Sequence, residues 1–120
     1  MRSIIIKREK QFLGKWLDYY VVRDIPQGEL AEYTGVKKYA LGFSEGLVKG
    51  SHQIFQIAND KTIRFKVPNE EIFMYAVYFD SAGIRFGEEI KIEAGEDDLK
   101  LSLQTKMGLS ANKLILSKSQ

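Results

Sequence analysis

His52 is the single histidine of this 120-residue chain, and it follows a glycine turn in the segment Lys49-Gly50-Ser51-His52-Gln53. One histidine cannot supply the several imidazoles of a histidine metal cluster. The chain has no cysteine, which excludes thiolate catalysis, disulfides and cysteine zinc sites. A catalytic triad needs a geometry that no spacing in this sequence indicates. We therefore predict no catalytic residue, no metal site and no cofactor.

An acidic run, Glu96-Asp97-Asp98, follows Glu93 and could gather oxygen ligands for a hard cation. It lacks the alternating aspartate spacing and the central glycine of a calcium-binding loop. We interpret the run as a solvated turn, which agrees with the prediction of no metal site.

The charge of the chain is unevenly distributed, although its net value is only +2. Residues 1–23 carry six basic and two acidic side chains, a net charge of +4. Residues 88–98 carry six acidic side chains and one lysine, a net charge of −5. Such asymmetry can steer partners, but we expect the two segments to lie near each other and partly neutralise.

Basic and aromatic residues mix near the N-terminus, as in proteins that bind single-stranded nucleic acid on a sheet. The low net charge argues against this use, so we do not expect nucleic acid as a partner. Alternation along the predicted strand places Trp16 and Tyr20 on one face and Tyr19 on the other, which indicates packing in a core. The basic and aromatic set is Lys7, Arg8, Lys10, Lys15, Trp16, Tyr19, Tyr20 and Arg23.

Alternating apolar and polar residues dominate the chain and predict short β-strands. The clearest case is Thr62–Val67, where Ile63, Phe65 and Val67 share one face. We predict a single all-β domain over residues 1–120, built as a two-sheet antiparallel β-sandwich of roughly eight to ten strands, with a small β-barrel as the alternative. The turn Asn59-Asp60 predicts a tight hairpin, and Pro26-Gln27-Gly28 predicts a turn. The other strand candidates are Ile4–Arg8, Lys15–Arg23, Glu29–Tyr33, Lys38–Phe43, Gln53–Ala58, Ile72–Phe79, Ile84–Phe86, Glu89–Glu93, Leu99–Leu103 and Lys113–Ser117.

Two short patterns resemble the small bacterial β-sandwich modules of the PEGA type. From Val21 the chain reads Val-x-x-Asp24-x-x-x-Gly28-x-Leu30, and Gly50-x-His52-x-Ile54 follows later. The resemblance covers roughly residues 15–58, but the stretch from Gly28 to Gly50 is longer than in those modules. It implies an accessory, non-catalytic sandwich in which Asp24, Gly28 and His52 are structural residues.

Residues Ile72–Phe79 form an apolar run that is interrupted by no polar group except two tyrosine hydroxyls. Such a strand needs cover on both faces, either from its own fold as a central strand or from another chain. In the second interpretation the contact surface is part of Phe73, Tyr75, Val77 and Phe79, or of the opposite set Ile72, Met74, Ala76 and Tyr78.

The sequence therefore favours a non-enzymatic binding module whose partner is another protein or a second copy of itself, as in a homodimer. The alternative is a domain that binds a small ligand, a carbohydrate or single-stranded nucleic acid. The longest apolar run, eight residues, is too short to span a membrane, and the N-terminal apolar segment is too short for a signal peptide. We expect a cytoplasmic protein.

Overall fold

A computed structural model of the chain describes residues 1–11, 17–34, 43, 48, 50–80, 83–108 and 112–119, without the side chains of 31–34. Nine strands and the helix α1 (Gln27–Thr34) lie within these ranges, and residues 48, 50 and 51 are also helical. The strands are β1 (Arg2–Arg8), β2 (Tyr19–Arg23), β3 (Ile54–Ile57), β4 (Thr62–Val67), β5 (Ile72–Asp80), β6 (Gly83–Phe86), β7 (Ile90–Ile92), β8 (Leu99–Lys106) and β9 (Lys113–Lys118).

The strands form two sheets that are not closed into a barrel. Sheet A has the order β4-β1-β8-β9, and sheet B has the order β3-β2-β5, with β6 and β7 both paired along the far edge of β5. This confirms the predicted all-β sandwich and shows that the barrel alternative is wrong. One pair of strands is not antiparallel as expected. Strands β1 and β8 run parallel, because the loop after β7 leads into β8 at the same end of sheet A at which β1 begins.

The main core lies between the inner faces of the two sheets. Ile4 and Ile6 of β1 meet Leu101 and Leu103 of β8 on the sheet A side, and all four are at most 1% exposed. Full burial of such side chains contributes about 1.5 to 3 kcal/mol each to folding. Because these residues occupy alternate positions, the intervening residues of β1 and β8 lie on the outer face of sheet A.

A second core covers the other face of sheet B. Leu30 of α1 and Phe43 pack with Tyr20, Val77 and Phe79, which point away from sheet A. Strand β5 is therefore covered on both faces, by sheet A on one face and by Leu30 of α1 and Phe43 on the other. This explains why its sequence reads as a continuous apolar run.

Residues Glu29–Tyr33, expected as a strand, lie in the helix α1 instead. Pro26 precedes the helix and Glu29 occupies its first turn, two signals that are typical of a helix start. The predicted turn at 26–28 is the beginning of this helix, where the Glu29 N–H donates to the Pro26 carbonyl at 2.9 Å. The candidate strand Lys38–Phe43 lies outside the described residues except for Phe43.

The Asn59-Asp60 turn is confirmed, but it does not make a hairpin. The Lys61 N–H donates to the Ala58 carbonyl at 3.1 Å, and Asp60 has a φ of 60°. The strands on either side pair elsewhere, β3 with β2 and β4 with β1. The turn therefore carries the chain from one sheet to the other, and local sequence could not distinguish this from a hairpin.

The acidic segment between β7 and β8 is anchored to the start of β1. The Asp98 carboxylate accepts the Ser3 backbone N–H at 2.8 Å and lies 3.3 Å from an Arg64 nitrogen. The Arg2 guanidinium donates to the Glu93 carbonyl at 3.2 Å. The basic N-terminal and acidic segments thus lie side by side, as expected from their opposite charges.

We expect Asp98→Ala to lower the free energy of unfolding by about 1 to 2 kcal/mol, because it leaves the N–H of the buried Ser3 without its acceptor. Asp97→Ala in the same turn should change it by less than about 0.5 kcal/mol, since Asp97 is exposed. Urea unfolding of both variants checks this. Equal effects would mean that the carboxylate of Asp98 does not cap β1.

Candidate functional site

The residues predicted as an interface lie on the face of sheet B that Leu30 of α1 and Phe43 cover. Tyr75, Val77 and Phe79 are at most 3% exposed, and Phe73 is half-buried against the same cluster. Phe43 packs edge-on against Phe79, with the ring centroids 5.0 Å apart. Contact with another chain through this face stays a prediction. It would require α1 and Phe43 to move away from sheet B.

The hydroxyl of Tyr75 fastens β5 to the segment before α1. It donates to the Ile25 carbonyl at 2.6 Å, in a buried position. Burial raises the pKa of Tyr75 to about 12, and the nearby Glu89 carboxylate contributes in the same direction. The phenol therefore stays neutral at physiological pH and serves as a structural hydrogen-bond donor.

The three residues of the PEGA-type resemblance lie at turns or helix ends. Asp24 has a φ of 54° and accepts the Phe73 N–H at 3.0 Å and an Arg23 nitrogen at 2.9 Å. Gly28 lies in the first turn of α1. His52 is exposed with a φ of 55°, and the Ser51 hydroxyl beside it accepts the Ile54 N–H at 3.0 Å. These placements leave the family resemblance itself untested.

Arg8, from the basic and aromatic set, is buried between the sheets. Its guanidinium donates to the Leu17 and Ile57 carbonyls at 2.9 and 3.0 Å and lies 3.6 Å from the centre of the Tyr19 ring. Burial lowers the pKa of Arg8, while Tyr19 and Asp18 act in the opposite direction. Tyr19 and Tyr20 are also buried, so these three groups hold the fold together and offer no surface for nucleic-acid bases.

The outer face of sheet A is basic, a feature that the sequence alone did not reveal. The four strands of this sheet contain nine lysines and arginines and no aspartate or glutamate. Six of these side chains are exposed and lie on the outer face, which we call the basic face. They are Lys7 of β1, Arg64 and Lys66 of β4, Lys100 and Lys106 of β8, and Lys113 of β9.

The margins of the basic face carry acidic residues. Asp98 lies beside Arg64, Asp60 lies 3.8 Å from Lys7, and Glu9 accepts the Ser102 hydroxyl at 3.0 Å. The two ion pairs, Arg64–Asp98 and Lys7–Asp60, are about half exposed and contribute little to stability, but all three carboxylates limit the positive potential of the face. The cations are separated by serine, threonine and glutamine side chains and by the half-buried Ile5 and Ile115, and the strand residues of this face include no aromatic ring. The face suits charge pairing rather than base stacking.

The two long sides of the sandwich differ. On one side a backbone hydrogen bond links the two sheets. The Glu88 N–H donates to the Leu114 carbonyl of β9 at 3.3 Å. On the other side β3 and β4 form the sheet edges, and the Phe55 and Phe65 rings stack there with centroids 4.2 Å apart. Among the described residues, no strand pairs with the outward edge of β4.

Within the described ranges the arrangement is a β-sandwich with one basic sheet face and one side on which no described strand pairs with the edge of β4. Comparisons with protein-family models, with curated proteins and with solved structures found no match for this chain. In the part of the chain that the structure describes, no three or more His, Cys, Asp or Glu side chains are grouped to hold a metal ion. No described helix is long and apolar enough to cross a membrane.

Proposed function

We propose that this protein is a non-catalytic binding module that holds an acidic partner protein on the basic face. The observation that carries the proposal is the charge of the basic face, where six of the nine cations of sheet A are exposed, while the four strands contain no anionic side chain. Half of the lysines and arginines of the chain thus lie in four short strands. Charge complementarity of this kind supplies association rate and specificity to protein interfaces.

The residues around the basic face favour protein over nucleic acid as the partner. Asp98, Asp60 and Glu9 at the margins would repel a continuous phosphate backbone. An acidic protein surface presents discrete carboxylates that can meet the cations individually. Arg8, Tyr19 and Tyr20 are buried and cannot stack on the bases of a single strand, while Lys15 and Trp16 of the same set lie outside the described residues.

The proposal predicts that reversing charges on the basic face weakens binding to an acidic polypeptide. The double variant Lys66→Glu/Lys100→Glu should bind immobilised poly-L-glutamate about tenfold more weakly than the unchanged protein, since each substitution replaces an attraction by a repulsion. Binding should also weaken as salt is added. Biolayer interferometry at two salt concentrations measures both effects.

Lys91→Glu is the control for the single variant Lys66→Glu, because both change the net charge by −2 and Lys91 is an exposed strand lysine of β7 in sheet B. It should change the affinity by no more than about twofold. Equal losses for Lys91→Glu and Lys66→Glu would contradict a role of sheet A. Tighter binding to a DNA duplex than to poly-L-glutamate at the same salt concentration would instead assign the face to nucleic acid.

A further inference from the structure

We infer that the acidic partner binds as an extended segment that adds a fifth strand to sheet A along the open edge of β4. The inference rests on the proposed function and specifies how the partner contacts the basic face. Three features of β4 carry it: the direction of its backbone groups, the alternation of its side chains and the charge of its outer residues.

The backbone of β4 has groups that point away from sheet A. The Arg8 N–H donates to the Lys61 carbonyl at 2.9 Å, and the register continues with Ile6 opposite Ile63. In an antiparallel pair, alternate residues direct their N–H and C=O groups at the partner strand. Thr62, Arg64 and Lys66 therefore direct theirs outward, toward the position that an added strand would occupy. Main-chain hydrogen bonds at such an edge supply affinity in strand addition.

The side chains of β4 determine which strand would fit. Arg64 and Lys66 are exposed on the outer face, whereas Phe65 and Val67 face the core and Ile63 is half-buried beside it. Residues of an added strand share faces with the β4 residues that they oppose. The complementary segment thus carries an acidic residue opposite Lys66, a second one opposite Arg64 that would share its guanidinium with Asp98, and apolar residues on the core side, in strict alternation.

A second copy of this chain is a poorer occupant of the edge. Antiparallel pairing of β4 with its own copy around a two-fold axis would bring Arg64 and Lys66 of both chains together. Like charges on paired strands are destabilising, and charged edge residues are a common device against edge-to-edge association. The same cations that oppose self-pairing favour an acidic strand.

The test uses a six-residue peptide, the length of β4, that alternates glutamate and valine. A second peptide of the same composition with its glutamates in one block is the comparison. At saturation the alternating peptide should slow hydrogen exchange at the amides of Thr62, Arg64 and Lys66 by about tenfold, because these N–H groups become hydrogen-bonded. NMR-detected exchange measures each amide separately, and the block peptide should leave them unchanged.

Thr62→Pro tests the edge without changing charge, since proline at the first residue of an edge strand removes an outward N–H and is tolerated there. It should weaken binding of the alternating peptide about tenfold, and Thr62→Ala by no more than about twofold. If the proline variant does not fold, exchange in the unchanged protein decides the question.

Other outcomes separate the two proposals. Binding that depends on Lys100 but leaves the β4 amides unprotected would overturn strand addition and preserve the basic face as a binding surface. No salt-sensitive binding of either peptide or of poly-L-glutamate would overturn both. Protection of the β4 amides that rises with protein concentration in the absence of peptide would identify a second copy as the occupant and overturn the inference.

Discussion

Replacement of Gly87 by alanine should lower the free energy of unfolding by about 3 kcal/mol, because a side chain at this position has no space. A Cβ atom there would lie 2.6 Å from the Leu114 carbonyl oxygen and 2.9 Å from the Ala76 carbonyl oxygen. Both obstacles are backbone atoms that already accept hydrogen bonds, from Glu88 and from Gly87 itself. Neither can rotate aside as the tip of a side chain could, so the two sheets would have to separate along their closed side.

Gly28→Ala is the control for this prediction. Gly28 lies in the first turn of α1, and a Cβ atom there would meet nothing within 4 Å. Alanine should stabilise the protein by about 0.5 kcal/mol, since it restricts the unfolded chain and suits a helix. Urea unfolding measures both variants. Similar small changes at both positions would contradict the close contact between β9 and the Gly87 backbone.

The alternation of apolar and polar residues predicted strand positions well where one face of the strand is exposed to solvent. The range Thr62–Val67 matches β4 residue for residue, because every second side chain enters the core. The apolar run of Ile72–Phe79 identified a strand that needs cover on both faces. It could not identify the cover, which is supplied partly by Leu30, more than forty residues earlier in the chain.

The helix was missed because its local signals were weak. The eight residues of α1, QGELAEYT, are too few to display a helical period of apolar residues over eleven positions or more, and Leu30 is its one described side chain in the core cluster. Pro26 and Glu29 were available as start signals, but Gly28 favoured a turn. Packing against sheet B decides the conformation of a segment this short, and that contact is not local.

The basic face shows most clearly what only the topology could supply. Alternation predicts that Lys7, Arg64 and Lys100 are exposed, yet these residues are distant in sequence. They become neighbours because β1 lies between β4 and β8, with Ile5 opposite both Arg64 and Lys100. A count of charges by strand would have shown the absence of acidic residues, but not that these strands share a sheet.

Stability should fall in alkaline solution, and Tyr75 should account for a large share of the loss. Burial raises its pKa from 10.0 to about 12 in the folded protein, so the phenolate form favours the unfolded chain. The contribution of the neutral Tyr75 side chain to the free energy of unfolding is fully present below pH 10 and disappears as the pH rises toward 12. A difference of two pKa units corresponds to about 2 to 3 kcal/mol. Burial raises the pKa values of Tyr20 and Tyr78 as well, which adds to the effect in the same direction.

Tyr75→Phe separates this contribution from the others. At neutral pH the variant should be less stable by about 1 to 2 kcal/mol, because the Ile25 carbonyl loses its buried donor. Above pH 10 the difference should shrink and then reverse, since phenylalanine has no proton to lose while the tyrosine of the unchanged protein ionises more readily in the unfolded than in the folded chain. Urea unfolding across this pH range, together with phenolate absorbance, follows both quantities. A constant difference between the two proteins would mean that the Tyr75 hydroxyl ionises in the folded state at an ordinary pKa, and equal stabilities at neutral pH would mean that its bond to Ile25 does not hold β5 against the segment that leads into α1.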